Sequence, residues 1–194
     1  MMRRTLPLLL AMAIFLVSAP AMALDGYKDR RGSYFGLGLG GGVGSVFVED
    51  ETLSTGLDEG GDLGLHLHAA LGGGVTNNLL FGAELNSWIR TTDVYGQELN
   101  HQHWSLNAAS TLFIVSGLFA EAGVGLAYGI SDASNPAGDR RRYQEMGLAV
   151  KGGLGFEYFV NGTVAPGFRV GYTRHFYSTS DFETFHGAFT LRWY

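Results

Sequence analysis

The residues of this sequence whose types and spacing suit chemistry fall into five groups. His103 and Ser105 flank Trp104, and on an extended strand, where successive side chains alternate faces, they project to the same side. An imidazole and a hydroxyl within hydrogen-bond reach can act as base and nucleophile. His175 and Ser178 are one residue too far apart to repeat that arrangement. His66 and His68 also share a strand face, and imidazole suits zinc or copper, although no third ligand stands beside them. Glu84, Glu121 and Glu157 face Lys151, Arg169 and Arg192 in number and sign, with His186 nearby. Arg140-Arg141-Arg142 is a basic run, of the kind that pairs with phosphate. Glu49, Asp50, Glu51, Asp58 and Glu59 form an acidic stretch with no base; it lacks the alternating ligands of an EF-hand loop and reads as a solvated loop.

The elements that must position these groups begin after an export segment. Residues 1–23 carry Arg3 and Arg4, an apolar run from Leu6 to Val17, and Ala21-Met22-Ala23 as a small-x-small cleavage site, which is a signal peptide. The run is shorter than the roughly 20 residues a spanning helix needs. Cleavage would leave residues 24–194 as one domain. The formal charge of the full chain is −5, and −7 without Arg3 and Arg4, the only charges in that segment. A negative protein is a poor partner for nucleic acid. The chain has 0 cysteines, so neither a disulfide framework nor a thiol site is available. Thirty glycines accompany 46% hydrophobic residues. That content is too apolar for disorder, and the glycines have no collagen period. Glycine repeated in strands points to close backbone approach or a narrow interior.

Alternation of period two runs through the mature chain. The first strand is expected from Ser33 to Val46, with Phe35, Leu37, Leu39 and Val43 opposite glycines. The second runs from Asp62 to Gly72, then a turn at 73–78, the third from Leu79 to Arg90, a loop at 91–101, and the fourth from Gln102 to Ile114. After a tight turn at 115–117, the fifth sends Leu118, Ala120, Ala122, Val124, Leu126 and Tyr128 to one face and Glu121 to the other. A polar loop at 131–143 precedes the sixth strand, Gln144 to Val160. Asn161-Gly162 is a favoured two-residue hairpin pair before the seventh, Thr163 to His175. A strict two-residue turn there puts the seventh strand out of phase, so a bulge near Pro166 is expected. After a loop at 176–181, the closing strand carries Phe185, Phe189, Leu191 and Trp193 on one face and His186, Thr190 and Arg192 on the other. Tyr194 is out of phase with the outward aromatics.

Eight strands joined alternately by tight turns and longer loops predict an all-β, eight-stranded antiparallel up-and-down transmembrane β-barrel in the outer membrane. A lipocalin-like soluble barrel would turn its apolar faces inward; the mid-strand charges argue against that. Glycines, alternating apolar faces and a terminal aromatic strand resemble the small OmpA and OmpX type barrels of the Gram-negative envelope. That resemblance implies a monomer with a salt-bridged, plugged lumen formed by Glu84, Glu121, Glu157, Lys151, Arg169 and Arg192, without cofactor or metal, engaging the barrel-assembly machinery through its last strand. Arg140, Arg141 and Arg142 would then lie near lipopolysaccharide phosphates. The His103-x-Ser105 spacing is similar to that of outer-membrane lipid A deacylases of the PagL type, with Leu106 where their motif has Asn and Glu121 as the nearby carboxylate. The expected function is a non-enzymatic, porin-like envelope component or surface-exposed binding scaffold. Lipid A modification and a narrow channel are the alternatives.

Overall fold

In the computed structural model, residues 29–48, 62–94, 97–115, 117–134 and 140–194 are described. The signal peptide expected at residues 1–23 and the acidic stretch at 49–61 lie outside them. Eight strands follow one another: β1 (Gly32–Val48), β2 (Asp62–Thr76), β3 (Leu79–Val94), β4 (Gln97–Val115), β5 (Leu118–Ser134), β6 (Arg140–Glu157), β7 (Val164–Phe176) and β8 (Ser180–Trp193). Each is antiparallel to its neighbours, and β8 pairs with β1 to close the barrel. Closure matters because an open sheet edge presents unpaired backbone groups that hydrocarbon cannot satisfy.

Following paired residues around the wall from Gly36 through Ala70, Glu84, Asn107, Gly125, Ala149, His175 and Phe182 returns to β1 at Val46, a stagger of ten residues. That stagger tilts the strands by about 40°, and eight strands leave an interior just wide enough for side chains to fill. The apolar alternates face out: Leu39, Leu63, Val124, Met146, Leu148 and Phe189 are all exposed. Their alternates, Glu84, Glu121, Lys151 and Arg169, are buried. This is an inside-out distribution for a soluble protein and the expected one for a wall facing lipid.

The hairpins differ from expectation at the loop end. The described residues of the segments 91–101 and 131–143 stay in the sheet, because the ladder continues to Val94↔Gln97 and to Ser134↔Arg140. These paired residues are polar because the strands run beyond the apolar band, not because they leave the sheet. At the turn end, the segment 73–78 likewise shrinks to Asn77-Asn78.

Phase is kept by two devices. A two-residue turn between antiparallel strands reverses which residue numbers face outward, unless one extra residue is inserted. The register shifts between Gly74 and Thr76 and between Phe113 and Val115 supply that residue as bulges. The turn before β7 uses a longer loop instead. Val160 N donates to Val164 O, leaving Asn161, Gly162 and Thr163 as a three-residue turn, and Asn161 Oδ1 accepts from the N–H groups of Thr163 and Val164. No register shift occurs along β6 and β7, so the bulge expected near Pro166 is replaced by this turn. Gly117 takes φ +95° in the turn before β5, a conformation that favours glycine.

Candidate functional site: an ion-paired lumen

Alternation places every inward side chain in one narrow column, and glycine makes room for the largest. The Trp88 indole lies against Gly44 and Gly64, where a Cβ would come within 2.7 and 2.4 Å of side-chain atoms. Its Nε1 donates to the Gly42 carbonyl, 2.9 Å away. Along the column, three layers can be distinguished from the turn end to the loop end.

The central layer is ionic. Lys151 on β6 bonds directly to Glu84 on β3 and lies 3.2 Å from Glu121 on β5. Arg169 on β7 approaches Glu121 to 2.5 Å and Glu84 to 3.8 Å. These four side chains are essentially without solvent exposure. Two cations and two carboxylates thus neutralise one another across the barrel, which ions removed from water require. His68 on β2 joins them, with Nδ1 3.0 Å from Asn86 Oδ1, and with Arg169 Nη1 3.0 Å from Nδ1 and 3.1 Å from Nε2.

The turn-end layer is built on Glu157. Its carboxylate accepts from Arg30 Nε at 2.8 Å, from Arg192 Nη1 at 3.1 Å, and from the Tyr194 hydroxyl at 2.8 and 3.0 Å. The Arg30 guanidinium covers the Phe113 ring at 3.8 Å, and Arg192 lies 4.7 Å over Phe119. Tyr34, Leu80, Phe113 and Phe119 pack beside them as an apolar cluster. Arg30 precedes β1, outside the charge set that alternation identifies. Among the described residues it brings the buried cations to four, against three buried carboxylates. Tyr194 turns inward to bond Glu157, which is why it is out of phase with Trp193.

The loop-end layer is aromatic. Phe182 stacks on His103 at 3.5 Å and lies 5.7 Å from His175, with Trp88 at 5.1 Å. The Tyr177 hydroxyl and His103 Nδ1 are 3.1 Å apart; burial pushes that phenol above the usual tyrosine range. Between this layer and the ions, His66 stacks on His186 at 3.9 Å and 13°. Neither ring nitrogen of either side chain has a hydrogen-bond partner among the described residues.

The remaining candidate residues lie as follows. His103 and Ser105 share the buried inner face, where the alternation puts them, away from the lipid face. Ser105 Oγ accepts from Asn107 Nδ2 at 2.9 Å, while His103 turns to Tyr177. Glu121 sits opposite Thr111, six residues along β4 from Ser105, so it is no neighbour of either. His175 points into the lumen, whereas Ser178 is exposed in the turn. His66 and His68 do not converge, since one stacks on His186 and the other joins Asn86 and Arg169. Among the described residues no group of three or more His, Cys, Asp or Glu is placed to hold a metal. Of the basic run, Arg142 is engaged by Asp132, with Nε–Oδ1 2.7 Å and Nη2–Oδ2 3.0 Å, while Arg141 is exposed; the Arg140 side chain lies outside the description.

A closed eight-stranded barrel with an apolar exterior and an ionic interior is the architecture of a small outer-membrane β-barrel. Solved structures of such barrels share it. The chain is similar to Ail, the attachment invasion locus protein of Yersinia pestis, solved with the heparin analogue sucrose octasulfate, at 14% identity and TM-score 0.61, over 83% of this chain and 99% of that one. It is also similar to Neisserial surface protein A at 14% identity and TM-score 0.54, over 84% and 99%. The outer membrane protein OprG from Pseudomonas aeruginosa matches at 15% identity and TM-score 0.50, over 84% and 96%. No protein-family model and no curated protein matches the chain.

Proposed function

We propose that this protein is a non-enzymatic outer-membrane barrel with a plugged lumen, acting as an envelope component or as a rigid scaffold for surface loops. The observation that carries this reading is the central layer, where Glu84, Glu121, Lys151 and Arg169 bridge β3, β5, β6 and β7 without solvent exposure. A lumen crossed by mutually bonded side chains has no room for a diffusive path. Any binding then belongs to the loop end, since a rigid barrel frees its loops from structural duty. Arg141 is exposed there and, if the loops lie outside, stands where lipopolysaccharide phosphates would be; Arg142 is less available because Asp132 holds it. The closing strand, with Phe185, Phe189 and Trp193 on its outer face, is the part that assembly machinery would engage, and the barrel would work as a monomer.

The inward placement of His103 and Ser105 counts against lipid A modification, because that chemistry needs its nucleophile at the lipid face. Planar-bilayer recording of the refolded protein tests the main reading. Silence at neutral pH is the expected result, and steady single-channel conductance would promote the narrow-channel alternative. Membrane placement is tested separately: the folded protein should migrate differently on a denaturing gel before and after boiling, and its recovery from periplasm without detergent would overturn the assignment.

A further inference from the structure

Before its first strand the chain folds back over the turn end of the barrel. The β1 ladder begins at Gly32↔Gly74, so residues 29–31 stand outside it. Gly32 takes φ +98°, the left-handed conformation that favours glycine, and the chain reversal there carries Arg30 into the mouth. The Arg30 carbonyl lies so close to Gly74 that a Cβ on that glycine would meet it at 1.9 Å, and Arg30 N donates to Asn77 Oδ1 at 3.1 Å. The guanidinium is then held in two ways. Its Nε donates to Glu157 Oε1 at 2.8 Å, and it lies over the Phe113 and Phe159 rings at 3.8 and 5.0 Å. A carboxylate at the edge of a planar cation, with aromatic rings against its face, is a set that suits a guanidinium. Two features set Arg30 apart from the deeper cations. Its side chain keeps 10% exposure at the mouth, against 1% or less for Lys151 and Arg169. Without it, Lys151, Arg169 and Arg192 match Glu84, Glu121 and Glu157 one for one among the described buried residues, and Glu157 still accepts from Arg192 and Tyr194. Arg30 can therefore leave without breaking a strand pair or stranding a carboxylate.

We propose that the turn-end mouth is a guanidinium-binding site which the chain fills with its own Arg30, and that residues 29–31 form a displaceable strap whose place an arginine side chain of another protein can take. Gly32 is the hinge of this strap, and Arg30 itself shows which chemistry the site accepts. With the strap drawn aside, Glu157 Oε1 loses one donor and the Phe113 ring loses its cover. An ammonium matches the carboxylate but lacks the planar face that lies against the rings. The tether gives Arg30 the advantage of effective concentration, so a free guanidinium competes poorly while the strap is in place and binds once it is removed. The site lies on the turn side of the central ionic layer, and the proposal holds whether or not the lumen conducts.

The test follows backbone amide shifts of the refolded full barrel in detergent micelles during titration with methylguanidinium chloride, kept far below the molar range in which guanidinium denatures. Arg30→Ala should show saturable shifts at Phe113, Glu157 and Phe159, with a dissociation constant on the order of 1 mM for so small a ligand. Wild type should bind at least about tenfold more weakly. Gly32→Ala, whose new Cβ meets nothing within 4 Å but disfavours the hinge conformation, should fall between the two. Adding Glu157→Gln to Arg30→Ala should remove most of the binding, and methylammonium should bind less well than methylguanidinium. N-acetylarginine amide, which presents the side chain as a partner would, should shift the same amides of Arg30→Ala. Refolding is checked by the boiling-dependent gel shift, and Arg30→Ser replaces Arg30→Ala should that variant fail it. An emptied site that shows no saturable shifts at these residues, or a wild type that binds as tightly as Arg30→Ala, overturns the site. Equal binding of methylammonium overturns guanidinium recognition, failure of N-acetylarginine amide overturns the arginine-bearing partner, and Gly32→Ala binding no better than wild type overturns the strap.

Discussion

Arg169 Nη2 lies 2.5 Å from Glu121 Oε1 across the lumen, between β7 and β5, with both side chains wholly buried. Replacing Arg169 with alanine leaves Glu121 with Lys151 alone at 3.2 Å and removes one of the two cations beside Glu84. Breaking a buried pair costs about 3 to 5 kcal/mol, against about 0 to 1 for an exposed one. Arg169→Ala should therefore lower the urea-unfolding free energy in lipid vesicles far more than Arg142→Ala, whose side chain is 60% exposed beside Asp132. Equal, small losses for both variants would mean that the interior is wet.

The outer wall offers the opposite experiment. Val124 is 61% exposed and pairs with Ala108 and Val150 in mid-strand, so its side chain meets lipid rather than protein. Val124→Arg should cost about 2 to 4 kcal/mol of folding free energy in a bilayer. Unchanged stability in vesicles would place the residue at the headgroups or reverse the faces.

Much of this was legible in the sequence because the period of two is set by backbone geometry alone. Once Leu118 to Tyr128 read as alternating, the faces of β5 followed, and Glu121 had to point inward. The strand count and the inward charges follow from the same rule. Three features were not legible. Polarity at 91–101 and 131–143 reads as loop composition, whereas in the paired residues there it reflects height above the apolar band. The turn at Asn161-Gly162 was one residue longer than its dipeptide suggests, since the Asn161 side chain, bonding two backbone N–H groups, stabilises a three-residue loop. Arg30 lies before the first strand, where alternation gives no direction, so nothing in the sequence pattern points it into the lumen.

The glycine cradle of Trp88 is testable by adding one methyl group. At Gly64 a Cβ would fall 2.4 Å from Trp88 Cε2, closer than packed atoms come, so one of the two must shift. Overpacking of this kind costs about 1 to 3 kcal/mol. Gly64→Ala should destabilise the wild-type barrel, and much less so a barrel that already carries Trp88→Leu, with a coupling of about 0.5 to 3 kcal/mol between contacting sites. Additive losses measured by urea unfolding of the two singles and the double would show that the ring does not rest on this glycine.

The turn-end layer gives the last prediction, and it separates a hydrogen bond from the packing around it. The Tyr194 hydroxyl donates to Glu157 at 2.8 and 3.0 Å, while the ring packs against Phe159 at 5.3 Å and Tyr34 at 6.1 Å. Tyr194→Phe keeps the ring and removes only the donor. A hydrogen bond to a charged group contributes about 1.5 to 3 kcal/mol, and that is the loss expected in urea unfolding. Glu157 still has Arg30 and Arg192, so the variant should fold and keep its boiling-dependent gel shift. In a protein that already carries Glu157→Gln, the acceptor is neutral, and the same Tyr194→Phe change should cost only about 0.5 to 1.5 kcal/mol. An identical loss in both backgrounds would mean that Tyr194 acts through its ring contacts, and that the carboxylate at the turn end is held by the two arginines alone.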